Sequence, residues 1–289
     1  MDRQSSFIST IDWALGGVGG ATIILDSLGY EEFAGSIRNA VVLDGMSLLR
    51  NNEQKLLDEI GKARKIALWL TRPVPPSKTR KLMSLVLSRK DKIPVAVGIR
   101  IPEKIPSPDE TNKMCKDLAF KLSLLVNGGH EITIITALGN RLSVRPVAGT
   151  LEYDHVAEPG KPSALPPGRV SFKVKSVVGK ILVDHGAIPF SCADLWLSPI
   201  TEKIVLSLDG TSCTVENHNE VAAHIRDLTV TEFGFGCANL DEKERHSTLM
   251  ELCSGTAHVI FGESNFMNII PEGALRRVSF GFKITSFRG

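Results

Sequence analysis

The sequence is poor in cysteine and in aromatic residues. Its 289 residues include five cysteines, none of them in a Cys-x-x-Cys pair, and aromatic residues make up 6%. Small secreted domains held by disulfides and zinc sites built from cysteine pairs both need regularly spaced cysteines, so the sequence favours neither class. The interpretation that remains is a reduced, intracellular protein whose thiols pack as small apolar side chains.

Net charge and long apolar runs are lacking as well. The 34 basic residues nearly balance the 32 acidic ones, and a net charge of +2 excludes a dedicated polyanion binder. No apolar run approaches the roughly 18 residues that cross a bilayer. The amino-terminal segment, MDRQSSFIST, does not have the basic and then apolar order of a signal peptide. We therefore expect a soluble, cytoplasmic protein with no membrane partner.

The hydrophobic pattern predicts a protein of two domains, one α/β and one α+β. Residues 1–108 alternate short apolar runs with helix-like patterns, which is typical of a small domain with a parallel sheet. A stretch rich in proline and charge, 102–110, is typical of a linker. Residues 109–289 begin with one long helix and continue mainly as strands. We expect this larger domain to be mostly antiparallel β structure with helices.

Three pairs that contain glycine predict turns between strands of the second domain. They are Gly139-Asn140, Val178-Gly179 and Asp209-Gly210. Each pair stands between two runs of β-branched and apolar residues, which is the pattern of a tight hairpin.

A glycine-rich stretch, Gly16-Gly17-Val18-Gly19-Gly20, has the composition of a phosphate-binding loop but not its context. No strand precedes it, the Gly-x-Gly-x-x-Gly spacing is absent, and no lysine of the Walker type follows. We interpret the stretch as a flexible connector.

Basic residues are concentrated between Lys62 and Lys92. This segment contains ten lysines and arginines and one acid, Asp91. It lacks the interleaved aromatic residues that stack on bases, so nucleic acid is an unlikely partner. A solvated helix face is the interpretation we favour, and an acidic partner is the alternative.

Two polar residues, Glu232 and His258, stand inside predicted strands next to glycine and other small residues. A buried carboxylate needs a cation, an arginine or a metal beside it. From the residues alone, a satisfied polar pair within the sheet is a better interpretation than a metal site, because two ligands make a weak site.

Residues 110 to 284 resemble the carboxyl-terminal domain of the M29 metallo-aminopeptidases and of the related iron-dependent 2,5-dihydroxypyridine dioxygenases. The matching segments occur in the family's order. They are TALGNRL at 136–142 (family TALGTDL), LPPGRV at 165–170 (LPAGEV), VGKILVD at 178–184 (xxGxLVVD), EFGFGCAN at 232–239 (ELGIGTN) and GTAHVIFG at 255–262 (GTVHIALG). The first domain matches the family's smaller domain in layout only and is shortened.

The resemblance implies a metal centre, but most of its ligand positions are changed. Arg169 stands where the aminopeptidases have a glutamate ligand, and a guanidinium cannot bind a cation. Glu232 and His258 match two further ligands. The last two ligands align with Ser279 and Gly281, near Arg277, and neither Ser279 nor Gly281 keeps a His or Asp. The resemblance therefore implies a relic pocket without metal or other cofactor, in which we expect Arg169 to pair with Glu232.

A pocket of this family that has lost its metal implies a non-catalytic peptide-binding protein. The chain resembles the peptide-binding partners of crocagin biosynthetic gene clusters, which present a ribosomally made precursor peptide to modifying enzymes. In that interpretation Arg169, Glu232, His258, Arg277 and Ser279 line the pocket. The alternatives are a metal-dependent aminopeptidase or ring-cleaving dioxygenase that uses Glu232 and His258, and a structural homodimer, since the related enzymes are dimers.

Overall fold

The computed structural model divides the chain into two compact units. Unit 1 consists of Met1–Asn112 and Asp154–Pro167, and unit 2 consists of Lys113–Tyr153 and Gly168–Gly289. The structure describes residues 2–70, 76–98, 100–135, 141–183, 204–216, 229–240, 252–254, 256–261, 265–269 and 282–283.

Six α-helices and fifteen strands lie in the described residues. The helices are α1 (Arg3–Leu15), α2 (Ser27–Phe33), α3 (Gly45–Asn51), α4 (Glu53–Lys62), α5 (Pro76–Leu87) and α6 (Pro108–Asn127). The first eight strands are β1 (Ala21–Leu25), β2 (Val41–Asp44), β3 (Lys65–Trp69), β4 (Val95–Gly98), β5 (Ile132–Ile135), β6 (Arg141–Pro146), β7 (Glu152–Tyr153) and β8 (Ser163–Ala164). The others are β9 (Arg169–Val183), β10 (Ile204–Asp209), β11 (Ser212–Val215), β12 (Val230–Gly236), β13 (Ala257–Phe261), β14 (Asn265–Ile269) and β15 (Phe282–Lys283).

Unit 1 is built on a five-stranded sheet in the order β2-β1-β3-β4-β8, with every pairing parallel. The central strands are apolar runs because apolar residues pack on both faces. Phe7 of α1 stacks on Trp69 on one side, with ring centroids 5.0 Å apart. Leu56 of α4 and Leu82 of α5 belong to the core on the other side. The predicted α/β domain with a parallel sheet is confirmed.

The last strand of that sheet comes from a later part of the chain. After β7 the chain returns to unit 1, where β8 pairs with β4 and the Leu165 amide donates to the Val97 carbonyl at 2.9 Å. Gly98 makes this approach feasible. A Cβ at Gly98 would overlap the Leu165 carbonyl oxygen and the Trp69 ring.

The glycine-rich stretch, predicted as a flexible connector, joins α1 to β1 and begins as a hydrogen-bonded helix cap. Gly16 adopts the left-handed conformation that ends a helix, with φ of 59°. The Lys65 ammonium donates to the carbonyls of Gly16 and Gly17, each at 3.0 Å. The Asp12 carboxylate accepts the amide of Val18 at 3.0 Å. Carbonyl oxygens bound to a lysine, at the amino end of β1, do not form a phosphate cradle.

Unit 2 is organised around β9, a single strand of 15 residues. It pairs antiparallel with β12, β7, β6 and β10. The predicted turn at Val178-Gly179 is therefore wrong, because the strand runs straight through both residues. Gly179, with φ of 136°, takes a conformation that is rare for other residues and stays within the strand. Of the other two predicted turns, Asp209-Gly210 joins β10 to β11, and Gly139-Asn140 lies outside the described residues.

The core of unit 2 lies on one face of this sheet. Phe172 of β9 contacts Phe233 and Phe235 of β12, with ring centroids 6.2 and 6.5 Å apart. Leu122 and Val126 of α6 belong to the same apolar cluster. The described strands of unit 2 pair antiparallel, so the predicted second fold class is also confirmed. Within the part of the chain that the structure describes, no helix has both the length and the apolarity for a membrane span.

Replacing Gly98 with alanine should destabilise unit 1, because the new methyl group has no space beside Leu165 and Trp69. We expect a loss of roughly 1–3 kcal/mol, as for other overpacked sites. Gly61→Ala is the matched control. It lies in α4 with open space around it and should gain about 0.5–1 kcal/mol from helix propensity. Urea unfolding curves measure both, and equal shifts in the same direction would contradict the prediction.

Folding stability should fall in alkaline solution because of Cys213. Its thiol is 5% exposed, and burial raises the pKa of Cys213 from 9.0 to about 12. Above pH 9.0 the unfolded chain ionises this thiol while the folded chain does not, so the unfolding free energy decreases between pH 9.0 and about 12. Urea unfolding of the protein and of Cys213→Ala, below and above pH 9.0, isolates this contribution. Identical pH slopes in the two proteins would rule it out.

Candidate functional site

The candidate site lies on the face of the unit 2 sheet opposite its aromatic core. Side chains alternate along a strand, so the residues between the core positions of β9, β12 and β13 all belong to this second face. On β9 the core positions Val170 and Phe172 alternate with Arg169, Ser171 and Lys173. The alternation gives one apolar face and one face of polar and small residues.

Lys173, not Arg169, stands directly opposite Glu232. The antiparallel register pairs Glu232 with Lys173 and Gly236 with Arg169. Cross-strand partners have Cβ atoms about 4.5–5.5 Å apart, within reach of a lysine and a glutamate. The ion pairs of the described residues include none between these two side chains, so both charges are available to a ligand. Arg169 shares this face with Glu232 but lies four residues further back along β9, about 13 Å at roughly 3.3 Å per residue. An ion pair of Arg169 with Glu232 would have to span that distance.

The strands also bring the positions of Glu232 and His258 together. Gly234 pairs with His258 on β13, and Glu232 is two residues away from Gly234 on the same face of β12. The two positions are therefore diagonal neighbours, whose typical separation is about 7–8 Å. Gly234 also pairs with Ser171, so one row across the sheet runs Ser171, Gly234, His258.

Exposure changes along the site. Ser171 is 4% exposed and Gly234 is buried, whereas Glu232 is half-buried and Lys173 is exposed. The site is thus dry at the row of Ser171 and open at the row of Lys173. Charged groups near the dry end interact more strongly than they do in water, because the local dielectric constant is lower.

Gly168 fixes the start of β9 against the chain that follows β12. The Gly168 carbonyl accepts the amide of Cys237 at 2.7 Å. A Cβ at Gly168 would come within 2.8 Å of the Ala238 Cβ and 3.3 Å of the Leu252 Cβ. This close packing sets the position of Arg169, the first residue of β9.

Two of the predicted site residues, Arg277 and Ser279, lie outside the described residues. Among the described residues, no group of three or more His, Cys, Asp or Glu residues is arranged to hold a metal ion. The strand register places the positions of Arg169, Glu232 and His258 on one face of the sheet. Lys173 is the residue that sequence reasoning missed. The sequence could have indicated it, because side chains alternate along a strand. If Phe172 faces the core, Lys173 lies on the opposite face, together with Arg169.

Comparison with known proteins identifies no relative of the chain. No family model, curated protein or solved structure matches the chain. The candidate site therefore stands on its own geometry.

Double-mutant cycles should detect coupling between Glu232 and Lys173. With Glu232→Gln and Lys173→Gln we expect an interaction free energy of about 0.2–1 kcal/mol, the usual range for a cross-strand pair of opposite charge. The matched cycle of Glu232→Gln with Arg169→Gln should give a smaller value, because about 13 Å of strand exceeds the screening length of about 8–10 Å. Unfolding free energies from urea curves supply both values. A larger coupling to Arg169 would show that Arg169 is the counter-charge.

Proposed function

We propose that the protein is a non-catalytic peptide-binding protein of the cytoplasm. It binds a ribosomally made precursor peptide and presents it to peptide-modifying enzymes in natural-product biosynthesis. The observation that carries the proposal is the lysine opposite Glu232, with a second cation, Arg169, on the same face of the sheet. In this proposal, the site that corresponds to the metal pocket of the metalloenzymes that the chain resembles is a charged surface that binds the peptide.

The charge pattern of the site disfavours a dication and favours a peptide. A divalent metal needs several carboxylate or imidazole ligands and is repelled by cations held nearby. Lys173 and Arg169 supply charged donors for carboxylates of a peptide, and Glu232 supplies an acceptor for its amines. The dry row at Ser171 and Gly234 strengthens such hydrogen bonds, since water does not compete there.

Strand edges offer a second means of holding an extended peptide. Among the described strands, β11 pairs with β10 alone and β14 pairs with β13 alone. An extended peptide can add to such an edge through backbone hydrogen bonds, with specificity supplied by side-chain contacts. A peptide on the β14 edge is separated from β12, the strand of Glu232, by two strands, β13 and β14.

The proposal includes a homodimer. Phe120 and Leu124 of α6 are 81% and 82% exposed, and they lie one helical turn apart on the same side of the helix. Large apolar side chains exposed together on a helix are typical of a surface that a second chain covers.

A second candidate function is a metal-dependent aminopeptidase or ring-cleaving dioxygenase that uses Glu232 and His258. The observation in its favour is the diagonal placement of these two positions on one face of adjacent strands. It would need further ligands beyond these two.

Metal analysis and peptide titration separate the two functions. We expect protein purified from medium supplemented with zinc and iron to contain neither at stoichiometric level, and to leave leucine p-nitroanilide intact. Synthetic peptides encoded by short reading frames beside the gene should bind in calorimetric titrations. Lys173→Ala and Arg169→Ala should each weaken binding by roughly tenfold, the loss of a charged hydrogen bond.

Lys113→Ala is the matched control for these variants. It removes the same charge from an exposed position of α6, on unit 2 but away from the site, and should leave the affinity unchanged. Stoichiometric zinc or iron together with hydrolysis would establish the enzyme instead. Equal losses in Lys113→Ala and Lys173→Ala would exclude the site as the place where the peptide binds.

A further inference from the structure

Unit 1 contains a cavity of about 260 Å³ between α3 and α5. Its described lining residues are partly apolar and partly basic. Met46 and Leu49 of α3 form the apolar part, and Arg50, Lys78 and Lys81 form the basic part. The volume is slightly below the roughly 300–1,000 Å³ of pockets for small organic ligands, so the cavity suits one side chain and not a large molecule.

The cations of the cavity carry more positive charge than their neighbours neutralise. Lys81 pairs with Glu53 at the start of α4, with Nζ and Oε2 2.6 Å apart. Across the described residues, no ion pair of Arg50 or Lys78 is present. Counting only the described residues, three cations against one carboxylate leave a net charge of +2 around the cavity. Because Lys81 already has Glu53 as its partner, Arg50 and Lys78 are the cations that remain to bind a ligand carboxylate.

The spacing of the cations fits carboxylates on either side of an apolar group. Lys78 and Lys81 are three residues apart on α5 and so lie on the same side of that helix. Arg50 reaches the cavity from α3. A ligand that places an aliphatic side chain on Met46 and Leu49 can bring flanking carboxylates to these cations.

We propose that this cavity binds an acidic peptide segment of a partner protein through one aliphatic side chain flanked by carboxylates. A nucleic acid fits less well, because Met46, Leu49 and the three cations include no aromatic ring for base stacking. Two lysines of the basic stretch from Lys62 to Lys92, Lys78 and Lys81, would thus lie beside the carboxylates of an acidic partner. It does not depend on the function proposed for unit 2, since every residue involved belongs to unit 1.

Fluorescence anisotropy of the full chain tests this proposal with a fluorescein-labelled peptide, a leucine flanked on each side by two glutamates. We expect binding that weakens at high salt. The same peptide with glutamine for every glutamate should bind at least tenfold more weakly, the loss of about 1.4 kcal/mol or more. Arg50→Gln and Lys78→Gln should each cost roughly tenfold for the acidic peptide, the loss of a charge-assisted hydrogen bond.

Lys92→Gln is the matched control. Lys92 is an exposed lysine of the same basic stretch that does not line the cavity, so this variant should bind the acidic peptide like the parent protein. Leu49→Ala should weaken the leucine peptide and leave a peptide with central alanine unchanged. Circular dichroism verifies that each variant is folded.

Three outcomes would overturn the proposal. They are no binding of the acidic peptide, equal losses in Lys92→Gln and Lys78→Gln, and tighter binding of single-stranded oligothymidine than of the acidic peptide. The last outcome would identify the basic stretch as a nucleic-acid surface. None of them bears on the precursor-peptide titrations, whose variants Lys173→Ala and Arg169→Ala lie in unit 2.

Discussion

The backbone hydrogen bonds of β9 are the interactions on which unit 2 depends. Strands β12 and β7 pair with its first part, and β6 and β10 pair with its later part. A turn at Val178-Gly179 would have separated these pairings into smaller sheets. Because the strand continues through Gly179, one set of hydrogen bonds positions both the aromatic core on one face and Arg169, Ser171 and Lys173 on the other. Core packing and the charges of the site are thus fixed by the same strand.

This coupling explains how the charged residues of the site are positioned. The sheet holds Glu232 and Lys173 opposite each other at no further cost in backbone entropy, since both strands are already ordered by the packing of Phe172, Phe233 and Phe235. The packing of the hydrophobic core thus orders the two strands on which the site is built.

Much of the fold could be predicted from the sequence because buried parallel strands are continuous apolar runs. The runs near 21–26, 65–71 and 94–101 all became strands of unit 1. The turn predicted at Gly179 was wrong because a glycine between two β-branched runs is compatible with a hairpin turn and with a long strand. Only the pairing of the strands distinguishes the two. For the site, sequence reasoning singled out Glu232 but not its neighbour Lys173, because a lysine on a strand is ordinarily solvated and only pairing between strands reveals its partner. Strand β8 has only two residues, too few for an apolar run or an alternating pattern that would predict a strand.

The return of the chain to unit 1 has a consequence for the order of folding. The sheet of unit 1 is complete only when Ser163–Ala164 pairs with β4, and that segment follows α6 and the first strands of unit 2. During synthesis the first four strands leave the ribosome well before the fifth, so the edge of β4 must wait for it with its hydrogen-bonding groups unpaired. A fragment that ends at the close of the first segment of unit 1 would keep that edge open permanently. The two units are consequently interleaved in time as well as in sequence, and no single cut in the gene separates one unit from the other.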